Sequence, residues 1–435
     1  MSLYQGQQAV TQIRHPEARP RPLDPGEPRR ATATDVGLAG YRHILSAEVG
    51  YSRLRFADIL RGPRGFYNRA DHRSEPLGHL RMTVIGRFLP PSVFFAISVC
   101  LGMLVFGAIV EARAQDRAQE KVHELKASPT TVHRGFFDAS LNPVLTIDSG
   151  DVERLWTTTG NPRYFESLGV PKDKIPPELY AAFEGAPGAG RDDHTLNGPI
   201  AVRGAEIGDT VEIRIRAVDL WLPIGAMSFR ANRGTLPEDF PYSRDRVFFF
   251  DPAKKEIEFA PGVAVPTKPF WGVIGVAPPR SMGRVPSGPP NIFGGNMDNH
   301  DLQPGTSLFL PVHAPGALIS IGDGHGVQGG GEVGLSALET SLKGEIQVVL
   351  HKGMRTLWPR AETATHYMTM GLHEDLNQAA RIATREMLNF IVATKGLPRD
   401  DVYMLLSAAM DLHVTQVVDG TKGVHALLPK SIFRN

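Results

Sequence analysis

The stretch VEIRIRAVDL at residues 211–220 alternates apolar and charged side chains along its first half. In a strand, Val211, Ile213 and Ile215 would lie on one face, and the charged residues between them would lie on the other. A helix would not separate the two sets in this way. The segment therefore predicts a β-strand with one buried and one solvated face.

The regions on both sides of this segment contain further strand patterns and little helix before residue 373. Apolar runs of strand length flanked by Gly or Pro occur at residues 247–251, 256–260, 306–312, 317–321 and 345–350. Apolar residues recur every three or four positions only at residues 374–395, where Gly396 follows, and a second helix is expected at 400–412. These patterns predict a β-sandwich or barrel-like body followed by helices.

The N-terminal region has features of a targeting segment rather than of a folded domain. Residues 88–110 are uncharged and apolar, Arg87 precedes them, and Ala112-Arg113-Ala114 follows as an A-x-A cleavage site. We expect translation to begin at Met82, residues 82–114 to be a signal peptide, and residues 1–81 to be a disordered or mis-annotated upstream segment. Residues 115–435 would then be an exported, periplasmic catalytic region. The alternative is an uncleaved anchor that holds this region outside the cytoplasm.

Composition limits the chemistry that the exported region can perform. The chain has 47 basic and 46 acidic residues, a balance that does not favour nucleic acid as a partner. The only cysteine, Cys100, lies in the apolar N-terminal run. Residues 115–435 therefore have no disulfide and no thiolate nucleophile, so a bound metal would need ligands from His, Asp and Glu.

Two blocks of the sequence concentrate side chains that can bind a metal or transfer protons. They are GGNMDNHDL at residues 294–302 and the glycine-rich block ISIGDGHGVQGGGEVG at residues 319–334. Their candidate residues are Asn296, Asp298, Asn299, His300, Asp301, Asp323, His325, Gln328 and Glu332. Carboxylate and imidazole ligands on two adjacent loops suit a divalent cation, zinc or calcium. The alternative is structural, because Asn and Asp form side-chain turns and glycine permits positive φ.

Three other interpretations of the polar residues are weaker. Gly324, Gly326 and Gly329 match the G-x-G-x-x-G of a dinucleotide-binding turn, but the flanking carboxylates would repel a pyrophosphate. Ser320 and Ser336 lack the G-x-S-x-G context of an activated serine. The remaining histidines favour structural roles: His366, His373 and His413 are expected to cap elements or to lie on the surface.

Four blocks in the same order resemble the acetamidase/formamidase family. They are HTLNGPIAVRGAEIGDTVEIRI, WGVIGVAPP, NIFGGNMDNHDLQPGTSLFLPVHAPGALISIGDGHGVQGGGEVGLSALET and DVYMLLSAAMDLHVTQVVDGTKGVHALLPKSIF. The similarity extends over residues 133–433. It implies a mainly β fold with an α+β C-terminal region, and an amidase that hydrolyses small linear amides to ammonia and a carboxylate with a bound divalent metal.

The resemblance also suggests roles for individual residues. Glu332 would be the general base, with His325 and Gln328 as further catalytic residues. The candidate metal ligands are Asp298, Asp323, His325 and His194, and the candidate substrate or loop residues are Asn296, Gly322 and Gly329. One departure is Gly330, where members of the family usually carry an aspartate.

Two other functions fit the same blocks. An exported, non-catalytic protein of this fold could bind a small polar ligand, and the loss of a carboxylate at Gly330 favours that interpretation. A hydrolase of cyclic amides (lactams) would differ only in substrate. The expected partner is a small amide; a membrane would be contacted only through an uncleaved N-terminal segment, and homo-oligomers are compatible with the sequence.

Overall fold

The computed structural model describes residues 120–188 and 194–434. The predicted upstream segment and signal peptide, and the proposed cleavage site after residue 114, lie outside the described residues. None of the helices within the described ranges is long and apolar enough to cross a membrane.

The described chain is mainly β, with two short helices early and two longer helices near the C-terminus. The strands are β1 Val122–Lys126, β2 Val132–Arg134, β3 Phe136–Phe137, β4 Leu145–Ile147, β5 Val152–Thr157, β6 Thr195–Val202, β7 Thr210–Phe229, β8 Arg244–Phe249, β9 Glu256–Ala260, β10 Val263–Pro266, β11 Phe270–Gly275, β12 Val285–Pro286, β13 Gly294–Asn296, β14 Ser307–Pro311, β15 Ile319–His325, β16 Glu339–His351, β17 Arg360–Glu362, β18 His366–His373, β19 Asp411–Gln416 and β20 Lys422–Pro429. The helices are α1 Pro162–Ser167, α2 Pro177–Phe183, α3 Leu376–Lys395 and α4 Arg399–Ala409.

One large sheet contains most of the strands, in the order β13-β11-β15-β16-β7-β14-β17-β18-β20-β19. Side branches join it where β6 pairs with β15, β5 pairs with β16 and β8 pairs with β7. Strand β15 therefore has neighbours on several sides: β11, β6 and β16. Strand β15 therefore lies inside the sheet, paired along both of its edges.

The predicted strand at 211–220 is the middle of the long strand β7. Val211, Ile213 and Ile215 are buried in the main core, as their alternation predicts. Glu212 departs from the expected solvated face, because it is buried and pairs with Arg214 at 2.8 Å and with His351 at 2.8 Å. Strand β7 is long enough to pair with both β14 and β16, and this pairing places Glu212 among polar neighbours.

The C-terminal region adds a helical layer to the sheet. Helix α3 begins after Asp375, whose side chain accepts a hydrogen bond from the Gln378 N–H at 2.9 Å, and ends at Gly396 with φ 66°. It packs on β18 and β20. The second predicted helix was expected to extend to residue 412, but α4 ends at Ala409. Residues 411–416 form β19 instead, because they pair antiparallel with β20.

The glycine-rich block is a strand for longer than the sequence indicates. The expected strand stopped at residue 321, whereas β15 continues to His325. A Cβ at Gly322 would lie 2.2 Å from the Thr195 carbonyl oxygen, and one at Gly324 would lie 2.5 Å from that of Thr340. These glycines let β6 and β16 approach β15 closely, and in each case the nearest atom is a backbone oxygen.

Strand β5 carries an unpaired acid in the sheet. Glu153 lies opposite His123 of β1 and Ile346 of β16, and its side chain is fully buried. Neither carboxylate oxygen has a hydrogen-bond partner among the described residues. Burial, and then the charge of Asp151, raises the pKa of Glu153 from 4.5 to about 8.

Replacing Glu153 by Gln should flatten the dependence of stability on pH. Because the pKa of Glu153 is higher in the folded than in the unfolded chain, stability is lost as pH rises from 4.5 through about 8. A pKa shift of this size corresponds to a loss of unfolding free energy on the order of 3–5 kcal/mol. Urea unfolding at about pH 5 and about pH 9 should show a smaller loss of unfolding free energy for Glu153→Gln than for the wild type.

The matched control is Glu124→Gln, which changes an exposed glutamate on the neighbouring strand β1. This variant should keep the pH dependence of the wild type. If Glu153→Gln also keeps it, the carboxyl of Glu153 is not protonated on folding and the assignment is wrong.

Candidate functional site

Strand pairing places two polar side chains over a glycine. Asp323 and His325 are two residues apart on β15 and therefore lie on one face of the strand. Gly272 of β11 lies beside them in the sheet. A Cβ at Gly272 would lie 2.5 Å from Asp298 Oδ1, 2.7 Å from Asp323 Oδ2 and 2.9 Å from His325 Cε1. The missing side chain of Gly272 thus leaves the space that these three residues fill.

The backbone is unusual at three of the acids that meet here. Asp298 has φ 47°, Asp323 has φ 55° and Glu332 has φ 46°, all in the left-handed region that non-glycine residues rarely adopt. The Asp298 N–H donates to the Gly272 carbonyl at 3.2 Å. Such conformations persist where surrounding structure fixes them, and they concentrate at functional sites. The fold therefore holds these carboxylates in place at a conformational cost.

His325 lies at the centre of the cluster and is buried. Its Nε2 atom lies 3.1 Å from Asp323 Oδ2, 3.3 Å from Glu339 Oε2 and 3.8 Å from Asp298 Oδ1. Its Nδ1 atom lies 2.8 Å from Gln328 Oε1.

Gln328 fixes the tautomer of His325. The Gln328 Nε2 group donates to the Asp298 backbone carbonyl at 2.8 Å, and a carbonyl can only accept. The Oε1 atom of Gln328 must then face His325, so His325 Nδ1 donates to it. In the neutral ring, Nε2 carries the lone pair and points at the carboxylates, which is the arrangement that a metal-binding histidine requires.

The cluster contains an excess of negative charge. Five carboxylates surround His325: Asp298, Asp323, Glu332, Glu339 and Asp419. Four of them have a raised pKa: Asp298, Glu332, Glu339 and Asp419. Burial is the largest cause in each case, and repulsion from neighbouring carboxylates adds to it.

Asp323 and His325 form an ion pair inside this cluster. Burial opposes the charge of Asp323, but His194 and His325 hold the pKa of this carboxyl below its usual range. Burial likewise opposes the charge of His325, yet Glu339 and Asp323 hold the pKa of this imidazole well above its usual range. Asp298 and Glu332 are buried, and the other three carboxylates are partly buried. One imidazolium is too little positive charge to let all five ionise together.

These residues fit a divalent cation. Three overlapping groups each bring their donor atoms within 4.8 Å of one another: Asp298–Asp323–His325, His325–Glu332–Glu339 and Asp298–Glu332–Asp419. Asp298 Oδ1 is buried and has no hydrogen-bond partner among the described residues. Oxygen donors with one imidazole suit zinc or calcium, and a cation here would neutralise the repulsion.

The cluster forms one wall of a cavity of about 560 Å³. Asn296 also lines the cavity, and its buried Oδ1 atom has no hydrogen-bond partner among the described residues. His194 lines it too, with Nδ1 2.9 Å from Ser287 Oγ and Nε2 4.0 Å from Asp323 Oδ2. The cavity therefore presents carboxylates, two imidazoles and a carboxamide to a ligand.

The residues singled out in the sequence are mostly brought together. Those that line the cavity are His194, Asn296, Asp298, Asp323, His325 and Glu332, and Gln328 contacts His325 from outside it. Two expected loop residues are placed differently. Gly322 packs against the backbone of β6, and Gly329 is exposed with no atom near its Cβ position. The close approach at Gly322 is between strands, whereas the role of Gly329 as a substrate or loop residue stays a prediction.

Two cluster residues were missed by the sequence interpretation. Glu339 begins β16, and Asp419 lies in the turn between β19 and β20. Neither belongs to a polar block, so no local signal marks them. Asp419 reaches the cluster because Gly331 pairs with Gln416, which joins this end of the chain to the Glu332 loop.

The position of Gly330 shows where the family's usual aspartate side chain would lie. A Cβ there would lie 3.3 Å from the Val414 carbonyl oxygen and 3.5 Å from His300 Nε2, and no atom of the carboxylate cluster is among its near neighbours. A side chain at this position would start outside the cavity. The rejection of a dinucleotide site is consistent with the fold, because the glycines lead to β16 rather than to a helix.

A sequence profile of the Acetamidase/Formamidase family matches residues 191–286 and 284–435, which together exceed half of the chain. A curated Schizosaccharomyces pombe protein with the name "Putative formamidase" is 28% identical over 195 residues. That alignment covers 32% of this chain and 47% of the yeast protein, so it spans about half the length of this relative.

Three crystal structures are similar to this chain over most of their length. They are a "predicted acetamidase/formamidase" from Thermoanaerobacter tengcongensis (27% identity, TM-score 0.62), an acetamidase from Bacillus halodurans (28%, 0.61) and an acetamidase from Yersinia enterocolitica (29%, 0.62). The similarity covers 72%, 72% and 73% of this chain and 97%, 98% and 94% of the respective structures.

Substituting Gly272 should disturb the cluster without unfolding the sheet. The Cβ of Gly272→Ala would meet the ends of the Asp298 and Asp323 side chains, so these carboxylates must move. We expect divalent cation affinity to fall by about 10–100-fold, as for other changes that reposition ligands. Equilibrium dialysis with Zn²⁺ and with Ca²⁺ measures this fall. Gly288→Ala is the matched control, because its Cβ would meet no atom within 4 Å. Unchanged affinity in Gly272→Ala would exclude these carboxylates as ligands.

Proposed function

The chain belongs to the acetamidase/formamidase family, and we propose that it hydrolyses the carbon–nitrogen bond of small linear amides to ammonia and a carboxylate. The observation that carries this proposal is the convergence of Asp298, Asp323, His325 and Glu332 on one wall of the cavity. These residues come from the two polar blocks that resemble the family, and they provide the acid, base and metal-binding groups that amide hydrolysis requires.

We propose that a divalent cation, zinc or calcium, is held by Asp298, Asp323 and His325, with His194 beside them. When bound, such a cation polarises an amide carbonyl and makes water a stronger nucleophile. Asp323 supplies the carboxylate whose pKa is lowest in the cluster, so it is available to a cation at neutral pH. Gln328 keeps the Nε2 lone pair of His325 directed at the same point.

Glu332 is the best candidate for proton transfer. It is buried and lines the cavity, and burial raises the pKa of its carboxyl well above the usual range. A carboxylate with a raised pKa is a stronger base, so it can take a proton from water and return it to the departing nitrogen. Breaking the amide bond requires that second proton transfer, because an amine anion is a poor leaving group.

Asn296 is suited to orient the substrate. Its carboxamide lines the cavity, and its Oδ1 atom has no partner in the described part of the chain, so it can accept a hydrogen bond from an amide N–H. A buried acceptor left unpaired is costly, and an amide substrate would satisfy it. This contact would favour primary and secondary amides over tertiary amides, which have no N–H to donate.

The cavity volume bears on the alternative substrates. About 560 Å³ is within the usual range for drug-sized ligands, so space does not restrict the enzyme to formamide or acetamide. Longer aliphatic amides and lactams therefore belong in the assay. The main argument for a non-catalytic binding protein was Gly330, and it is weakened because a side chain at 330 would point towards His300 and Val414.

Ammonia release from an amide series tests the proposed activity. The purified chain should release ammonia from at least one amide in a series that runs from formamide and acetamide to longer aliphatic amides. A lactam belongs in the same series, and its hydrolysis is measured by the ring-opened amino acid, because ring opening releases no ammonia. Treatment with a chelator should abolish turnover, and added Zn²⁺ or Ca²⁺ should restore it, because the buried carboxylates need the cation. Turnover that survives complete metal removal would contradict the metal-dependent mechanism. No ammonia from any linear amide and no ring-opened product from the lactam would favour the binding protein.

Glu332→Gln separates three roles for this residue. If Glu332 transfers protons, kcat should fall by about two to four orders of magnitude while metal content stays near that of the wild type. If Glu332 is a ligand, bound metal should fall, and excess metal should restore part of the activity. If it is only structural, melting temperature should fall while the folded fraction turns over normally, which would remove Glu332 from the proposed mechanism. Glu258→Gln, an exposed change on β9, is the control.

A further inference from the structure

A second cluster of metal-binding side chains lies outside the cavity. Asp301, His413 and His425 each place a donor atom within 4.8 Å of the others. None of these residues lines the cavity described above. Asp301 follows β13 in the same polar block as Asp298, whereas His413 and His425 come from β19 and β20.

Strand pairing brings the two histidines together. His413 and His425 are direct partners in the antiparallel register of β19 and β20, so their side chains lie on one face of the sheet. Their ring centroids are 5.2 Å apart. The His413 side chain is 46% exposed and that of His425 is 1% exposed, so the cluster extends from the interior to the surface.

Neighbouring groups orient the donors. Thr415 Oγ1 lies 2.7 Å from His425 Nδ1, which leaves His425 Nε2 directed at Asp301 Oδ2, 3.1 Å away. His300 Nδ1 lies 3.1 Å from the other carboxylate oxygen, Asp301 Oδ1. These contacts fix the orientation of the His425 ring and the Asp301 carboxylate. Metal ligands in proteins are commonly oriented by hydrogen bonds of this kind.

The separations are compatible with a cation site. His413 Nδ1 lies 3.9 Å from Asp301 Oδ2, which is too long for a hydrogen bond. Two ligands of a tetrahedral zinc ion with bonds of about 2.1 Å are separated by about 3.4 Å. The observed separations of 3.1 Å and 3.9 Å lie on either side of that value. Small side-chain adjustments would place all three donors around one ion.

We propose that Asp301, His413 and His425 form a second, peripheral site for a zinc-type divalent cation. Two imidazoles and one carboxylate favour Zn²⁺ or Co²⁺ over Ca²⁺, which takes oxygen ligands. Because His413 is exposed, the fourth coordination position faces solvent and can hold water.

The site would connect elements that support the cavity. Thr415 of β19 accepts a hydrogen bond from the Gly331 N–H at 3.0 Å, and the Val417 N–H donates to the Gly331 carbonyl at 3.1 Å. A cation on Asp301 and the β19–β20 pair would therefore fix the strand that holds the Glu332 loop. We expect it to raise thermal stability more than it changes turnover, because its ligands do not contact the cavity.

The test compares His413→Gln with wild type in Zn²⁺ binding by the full chain. His413 is exposed, so this change should leave the fold intact. It should remove one equivalent of tightly bound Zn²⁺. The part of the Zn²⁺-dependent thermal stabilisation that this site provides should be lost with it. Ammonia release should stay near wild type. The control is His123→Gln, because His123 pairs with Asp151 at 2.8 Å but has no third donor among the described residues.

A second variant keeps the two sites distinguishable. Asp323→Asn should remove cation from the cavity and leave the peripheral equivalent, whose Co²⁺ absorption spectrum should be lost on adding His413→Gln. If His413→Gln binds as many equivalents as wild type and shows the same Zn²⁺-dependent stabilisation, the peripheral site does not exist. If Asp323→Asn alone leaves the metal content unchanged, the proposed cavity metal fails while the peripheral site stands.

Discussion

The contact between His325 and the surrounding carboxylates is the interaction on which the site depends. The imidazole lies within 4 Å of three acids, of which Asp298 is buried and Asp323 and Glu339 are partly buried. Burying several like charges is costly unless a positive charge is added. The fold nevertheless holds Asp298 and Glu332 in left-handed backbone conformations beside it. A site that is unfavourable by itself and yet rigidly held is one arranged for a ligand.

Close strand packing makes this arrangement geometrically possible. Glycine alternates with functional residues along the second half of β15, so one face meets neighbouring backbone while the other carries Asp323 and His325. Gly272 on the adjacent strand leaves the space for their carboxylate and ring. The glycines therefore allow close strand packing and leave space for a ligand. Acids, which would repel an anion, line the cavity on the other face.

One polar block serves two centres. Asp298 turns inward to the cavity, whereas Asp301, only three residues later, turns towards β19 and β20. The last two strands also contribute to both centres, because Asp419 lies in the turn that connects them, while His413 and His425 lie on their paired faces. The β19–β20 pair thus links the cavity to the second cluster, and the position of this strand pair affects both.

The sequence by itself determined the features that depend on local periodicity and on residue type. The alternation at 211–220 predicted β7, the spacing of apolar residues predicted α3, and the two polar blocks contained most of the cavity acids. Tertiary structure decided the rest. Glu339, Asp419 and the pairing of His413 with His425 depend on strand register between distant segments, and no short pattern encodes that register. Tertiary structure also decided whether a glycine faces a ligand or a neighbouring strand, because the residues beside each glycine come from distant segments of the chain.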